Sequence, residues 1–220
     1  MNLQNLEQAR YNMIEQQIRP WDVADSAVLG LLSTVKREEF VPTSYKGMAF
    51  ADMAIPLGSG QAMLPPRVQA RLLQDAAVQT GDKVLEIGAG SGFMTALLAN
   101  QAQRVISLEL SAELADCARA NLQRAGVRNA EIRQADGAGG APADGPFDVI
   151  LLGGSVVEVP HTLLAQLKIG GRLVGIVGDE PIMHACVITR TSENNFKTDE
   201  KWDDNAPRLQ NFPQPSGFKF

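Results

Sequence analysis

Along residues 1–40 the apolar positions recur at helical spacing, first as Leu6, Tyr11, Met13, Ile14 and Ile18, then as Ala27, Val28, Leu31, Leu32 and Val35. Each set marks one face of a helix. Pro20 separates the two runs and Pro42 closes the second, because a proline has no backbone N–H to continue a helix. Lys36-Arg37-Glu38-Glu39 reads as the solvated end of the second helix. Residues 43–65 carry no clear period and hold Gly47, Pro56, Gly58, Gly60 and Pro65. A connection of that length inside a compact domain is usually functional. Pro66 suits the first turn of a third helix running through Val68, Leu72, Leu73, Ala76 and Ala77 up to Gly81.

From residue 83 the pattern alternates between strand and helix. Val84, Leu85 and Ile87 form a short apolar run typical of a buried parallel strand, and Phe93, Met94, Leu97 and Leu98 follow at helical spacing. Arg104 to Leu108 predicts a second strand, and Ser111 and Gly126 bracket a helix over 112–125 as N-cap and stop. Ala130 to Gln134, Phe147 to Leu152 and Arg172 to Val177 predict further strands, with a helix from Pro160 to Leu167 before the last of these. Ala185 to Thr191 and Asn195 to Trp202 read as later, antiparallel strands. Pro207, Pro213 and Pro215 mark the remainder as an irregular tail lying on the domain. The alternation predicts an α/β fold with a parallel sheet, right-handed crossovers and helices on both faces. Its expected parts are an N-terminal helical subdomain with a functional loop (1–66), a ligand-binding domain (67–202) and a C-terminal tail (203–220).

A chain of 220 residues with a net charge of -5 and a pI near 5.1 has neither the basic footprint of a general nucleic-acid binder nor that of a membrane-surface protein. No apolar run approaches the length of a membrane span, and the N-terminus has no signal-peptide core. A cytoplasmic location is expected. Cys117 sits among Leu114, Ala118 and Leu122 and reads as a buried thiol; His184-x-Cys186 has no second ligand pair, so no metal is expected.

Chemistry concentrates at Glu86-Ile87-Gly88-Ala89-Gly90-Ser91-Gly92. A strand, a glycine-rich turn and a helix start form a cradle in which the backbone approaches a ligand and the helix N–H groups face it. A dinucleotide fingerprint needs glycines at the first, third and sixth places, but the sixth place here is Phe93. The G-x-G-x-G spacing, with Glu86 two residues ahead, resembles that of S-adenosylmethionine-dependent methyltransferases. Glu109 ends the next strand, where an acidic side chain can hold both ribose hydroxyls. Asp136-Gly137 and Gly153-Gly154 close two more strands, and ligands of open parallel sheets bind outside the carboxyl ends of their strands. The expected contacts of S-adenosyl-L-methionine are Glu86, Gly88, Ala89, Gly90, Ser91, Gly92, Glu109, Leu110, Asp136, Gly137 and Gly153.

Beyond that turn, Arg37-Glu38-Glu39-Phe40-Val41-Pro42 fits the phrase R-E-x-F-V-P, followed by Ile55-Pro56-Leu57-Gly58-Ser59-Gly60-Gln61, Phe147-Asp148-Val149-Ile150 and Leu163 to Val174. Over roughly residues 10 to 178, a span expected of one domain, these elements resemble the protein-L-isoaspartate O-methyltransferase family. The resemblance implies a Rossmann-like sheet with an added N-terminal subdomain, and methyl transfer to the α-carboxylate of isoaspartyl residues in damaged proteins. In that family the active-site loop reads G-Q-T-I-S-Q-P, with the serine hydroxyl beside the methyl and the acceptor carboxylate. Here Gly60-Gln61-Ala62-Met63-Leu64-Pro65-Pro66 stands in its place. Three polar functions are gone from one loop, and bringing a carboxylate into a low-dielectric site without donors costs several kcal/mol.

Three functions therefore stand side by side. The first is an isoaspartyl-type O-methyltransferase acting on a protein or peptide. The second is a methyltransferase of the same fold whose acceptor is less charged, including a small molecule, with Ala62, Met63 and Leu64 lining an apolar pocket. The third is a non-catalytic module that binds the cofactor. Ser59, Gln61, Met63 and Leu64 form the candidate acceptor loop, although Ser59 in a Gly-rich turn reads as a turn former. Tyr45 and His161 are further polar candidates, His161 reading as an exposed first-turn residue. Asn211-Phe212-Pro213 to Phe220 is a segment able to cover the acceptor pocket.

Overall fold

The computed structural model describes residues 3–214. Helix α1 (Leu3–Met13) widens into a π-helical turn at Ile14–Ile18 and tightens into a 3-10 turn at Arg19–Trp21, which contains Pro20. Helix α2 (Ser26–Thr34) starts on Asp25, whose side chain accepts from the N–H groups of Ala27 and Val28. The second helix thus ends before the charged run. Arg37–Glu39 is a separate 3-10 turn in which Arg37 and Glu38 are buried, and Arg10 forms a buried ion pair with Glu38. The expectation of a solvated helix end holds only for Lys36 and Glu39, which are exposed.

The stretch 43–65 is not structureless. Thr43–Met48 is a 3-10 helix, and β1 (Ile55–Gly58) pairs antiparallel with β2 (Gln61–Met63). The two-residue loop Ser59-Gly60 has φ of 52° and 72°. Positive φ at both central positions is the hairpin turn that matches strand twist, so Ser59 is a turn former. Helix α3 (Pro66–Ala76) ends earlier than expected, at the left-handed Ala77. It buries Leu72 and Leu73 completely, each stabilising the fold by roughly 1.5–3 kcal/mol.

The remaining elements are β3 (Lys83–Ile87), α4 (Phe93–Gln101), β4 (Arg104–Glu109), α5 (Ala112–Arg124), β5 (Ala130–Gln134), β6 (Phe147–Val156), α6 (His161–Leu164), β7 (Leu167–Asp179), β8 (Ile182–Arg190) and β9 (Phe196–Asp203). They build a sheet of order β5-β4-β3-β6-β7-β8-β9 in which the first five strands are parallel and the last two antiparallel. The predicted helix 160–167 shrinks to one turn, because β7 starts at Leu167 and the chain returns at once to the sheet. Side chains alternate across the sheet. Val149 and Leu151 face the helices α2 to α5, whereas Ile150 and Leu152 face α6 and the segment around Ala141. Cys117 is exposed, since α5 turns that position away from the sheet.

Sequential strands run outward from β3 in one direction and from β6 in the other. The gap between their carboxyl ends is the switch point where such sheets hold ligands. The described part of the tail crosses this edge: Ser155 N–H donates to the Pro207 carbonyl, Leu209 N–H to the Ser155 carbonyl, and Arg208 pairs with Asp179. Residues 215–220 of the expected tail lie outside the described residues. Among the described residues no helix is long and apolar enough to cross a membrane.

Candidate functional site

The glycine turn closes onto the neighbouring strand. Gly88 and Ala89 N–H donate to the Leu108 carbonyl at 2.8 and 3.3 Å, and Gly92 N–H donates to the Ala89 carbonyl at 2.8 Å. Gly88, Gly90 and Gly92 have φ of 90°, 52° and 81°, values that favour glycine. The turn is thus held by β4 and by its own carbonyls. Gly92 faces the protein: a Cβ on it would lie 3.3 Å from Ala118 of α5. Gly153 meets the turn still more closely, since a Cβ there would stand 2.4 Å from the Gly88 carbonyl oxygen.

Glu109 ends β4 at the mouth of the turn, 6% exposed. Its Oε2 accepts from Gly90 N–H at 2.8 Å and its Oε1 from Ser111 N–H at 3.0 Å. A carboxylate offers about four acceptor positions, so both oxygens keep capacity for a diol. The cavity in front of it measures about 180 Å³ and brings together Gly88, Glu109, Leu110, Asp136, Gly137 and Gln61, with Ser59 at its rim. Asp136 Oδ1 caps Ala138 N–H and Oδ2 accepts from Asn211 Nδ2 at 2.8 Å. Leu209, Gln210 and Phe212 line the same cavity, so the described tail covers it.

A smaller hollow of about 30 Å³ opens on the other side of Gly88, lined by Ala89, Gly90, Ser91 and Gly153 together with Met63 and Leu64 of the acceptor loop. The expected cofactor contacts and the expected acceptor loop therefore meet across Gly88. Leu64 is 3% exposed, which fits the apolar wall its side chain implies. Tyr45 and His161 border neither opening; His161 is exposed and stacks edge-on against Phe196. His184 pairs with Asp203, and among the described residues no group of three His, Cys, Asp or Glu side chains stands close enough to hold a metal.

Glu86 is placed differently from the other expected contacts. It is wholly buried, borders neither opening, and its Oε2 accepts from the hydroxyls of Thr95 and Ser107. Oε1 has no hydrogen-bond partner among the described residues. Burial, opposed by those two hydroxyls and assisted by the nearby Glu109 charge, raises its pKa to about 7. Glu86 thus acts from beneath the turn, joining β3, β4 and α4, and not from its surface.

Two buried polar residues at the smaller hollow or behind it were not among the expected site residues. Arg37 is wholly buried, and Gln69 of α3 lines the smaller hollow. A signal for the second existed: Gln69, Leu72, Leu73 and Ala76 follow i, i+3, i+4, i+7 spacing, which sets an amide on an apolar stripe.

Comparison with known proteins bears on the family and the fold. Residues 8–203 match the family model described as protein-L-isoaspartate(D-aspartate) O-methyltransferase. A protein-L-isoaspartate O-methyltransferase from Methanoculleus marisnigri is 40% identical over 169 residues, 77% of each chain. One from Rhodopseudomonas palustris is 38% identical over 192 residues, 87% of this chain and 88% of that one. Among solved structures, a Plasmodium falciparum protein described as a beta-aspartate methyltransferase in complex with S-adenosyl-L-homocysteine superposes with a TM-score of 0.77 at 20% identity, covering 93% of this chain and 98% of that one. At that identity it carries the fold alone.

Proposed function

The chain belongs to the protein-L-isoaspartate O-methyltransferase family, and on that premise we propose that it transfers the methyl group of S-adenosylmethionine to the carboxylate of isoaspartyl residues in proteins. The observation that carries this reading is the placement of Glu109. Its two carboxylate oxygens stand at the wall of a cavity at the switch point that Ser59 and Gln61 also line, and on the far side of Gly88 the acceptor loop continues as Met63 and Leu64.

The residues present fit the cofactor. Glu109 suits the ribose hydroxyls, while Ile87, Leu108, Leu110 and Phe212 supply apolar walls for a purine. When bound, S-adenosylmethionine supplies an electrophilic methyl group, whose transfer to a carboxylate oxygen breaks the carbon–sulfur bond and moves no proton. The chain's own part is then positioning and exclusion of water. The glycine turn fixes the floor between the two openings, the hairpin β1–β2 walls both of them through Gln61 and Met63, and the tail covers the nucleotide side.

Glu109→Ala is expected to weaken S-adenosylmethionine binding by about 1–3 kcal/mol, since it removes the charged acceptor from the ribose and leaves the Gly90 and Ser111 amides without a partner. Unchanged affinity in calorimetry removes Glu109 from the site. The proposed activity is tested by transfer from labelled S-adenosylmethionine to an isoaspartyl peptide, with the aspartyl isomer as control. Selective labelling supports repair of damaged proteins. A second reading, an acceptor of lower charge, draws on the apolar lining by Ala62, Met63, Leu64, Leu72 and Met94; tight cofactor binding with no transfer to the isoaspartyl peptide favours it.

A further inference from the structure

Arg37 is a buried cation with no anionic partner among the described residues. It is 0% exposed. Its guanidinium donates to the Ala49 carbonyl at 2.9 Å, to the Leu64 carbonyl at 2.8 Å and to Gln69 Oε1, and it lies over the Phe93 ring at 5.2 Å from the centroid. The nearby carboxylates are engaged elsewhere, Glu38 with Arg10 and Asp52 with Arg67. Among the described residues none forms an ion pair with Arg37. Burial lowers its pKa to about 9, partly opposed by Asp52, which leaves it charged at neutral pH.

This arrangement decides which way the Gln69 amide points. A guanidinium only donates, so the amide oxygen of Gln69 must face Arg37 and its NH2 must face away. The amide nitrogen makes no hydrogen bond to any described residue, yet the side chain, 6% exposed in all, lines the hollow beside Leu64, Ala62 and Phe93. A polar donor with no partner thus borders an otherwise mostly apolar space, backed by a positive charge that polarises it. Ser91 is the other polar side chain of that wall, and it belongs to the glycine turn itself.

We propose that the Gln69 amide NH2, oriented by Arg37, donates to the acceptor carboxylate in place of the side-chain donors that Ala62 and Leu64 cannot provide. Gln69 is then a specificity-determining contact, and Arg37 a positioning residue behind it. The assignment rests on the isoaspartyl reading above. It also accounts for the unpaired guanidinium: a carboxylate entering the hollow supplies the negative charge its surroundings lack, at a place where water screens little. A purely structural Gln69, present only to tie α3 to the loop, has no use for a free NH2 and no bearing on acceptor affinity at fixed cofactor affinity.

The two roles separate in a pair of variants assayed beside the wild type for kcat and KM with an isoaspartyl peptide, for cofactor affinity by calorimetry, and for melting temperature. Gln69→Leu keeps the volume and loses the donor; kcat/KM is expected to fall roughly 10- to 100-fold, mainly through KM, the size that follows loss of a hydrogen bond to a charged group. Gln69→Glu keeps the shape, pairs with Arg37 and therefore strengthens the tie, but it faces the acceptor with a negative charge. Its kcat/KM is expected to fall by roughly 100-fold or more with melting temperature and cofactor affinity preserved. A Gln69→Glu protein with wild-type kcat/KM overturns the assignment, as does a loss of transfer that merely tracks a loss of cofactor affinity. If Gln69→Leu fails to fold, Gln69→Glu alone decides. A wild type that binds the cofactor and labels no isoaspartyl peptide overturns the repair reading, and this assignment with it; a wild type that labels the peptide beside variants that equal it overturns the assignment alone.

Discussion

A Gly153→Ala protein is expected to bind S-adenosylmethionine on the order of 100-fold more weakly than the wild type and to lose about 3 kcal/mol of stability, the upper end of overpacking costs. The methyl would enter 2.4 Å from the Gly88 carbonyl oxygen and 3.2 Å from that of Ile87. Both are backbone atoms, so no rotamer change relieves the contact. Either the end of β6 moves away from β3, or the glycine turn shifts, and the turn is the shared floor of both openings. For a chain of this size the stability loss corresponds to a fall in melting temperature of roughly 6–12 °C. Gly30→Ala is the control. Gly30 lies inside α2, nothing stands within 4 Å of its added Cβ, and its backbone is ordinary helix, so that change is expected to stabilise by about 0.5–1 kcal/mol. Thermal unfolding and calorimetry on the two proteins check the contrast; a Gly153→Ala protein with wild-type cofactor affinity removes the close approach of β3 and β6 from the account of the site.

Glu86→Gln is expected to make the cofactor-free protein more stable at pH 8 and to change it little at pH 4. Glu86 titrates near 7 when folded, above its ordinary 4.5, chiefly because it is buried. The folded state therefore holds this proton more tightly than the unfolded chain does. Its contribution is most favourable below pH 4.5, declines as pH rises from there to about 7, and then stays constant at a cost of about 3 kcal/mol. A neutral amide has no such dependence, and its oxygen can still accept from Thr95 or Ser107. Other carboxylates titrate as well, Asp75 shifted up by burial and Asp148 down by Lys168 and the Lys83 N–H in spite of its own burial. For that reason the quantity to measure is the difference between variant and wild-type melting temperatures across pH 4 to 8. A difference that stays flat with pH means Glu86 titrates normally.

The glycine turn and the strand ends around it were legible because their signals are local. Gly88 to Gly92 follow a strand and precede a helix within ten residues, Glu109 ends a strand and Asp136 stands two residues past another, each strand's apolar run being visible on its own. The acceptor loop at Ser59, Gln61, Met63 and Leu64 could be named only through the family resemblance, because nothing local announces its structure. A hairpin of four and three residues, containing Pro56 and two glycines, is too short for an alternating pattern to emerge. Arg37 sits in a run of four charges, where every local rule predicts solvent; only the tertiary meeting of Ala49, Leu64 and Gln69 gives its three donors somewhere to go. Cys117 failed for the opposite reason. Its apolar neighbours Leu114, Ala118 and Leu122 do face the core, but position 117 falls on the other side of the helix. The tail could be read as irregular, but it was expected over the acceptor pocket, whereas its described part lines the cavity in front of Glu109; its anchoring through Ser155 joins residues about fifty positions apart, which no local pattern shows.

The loop around residue 64 owes its path to its main chain, since Arg37 grips the Leu64 carbonyl from behind. A support of that kind is indifferent to which side chain position 64 carries. Lineages descending from one ancestor can then exchange serine for leucine, or threonine for alanine at 62, in single steps without first losing the scaffold. The pocket's chemistry is free to drift while the architecture stays put, so relatives that share this fold and this guanidinium can diverge in what they methylate long before they diverge in shape.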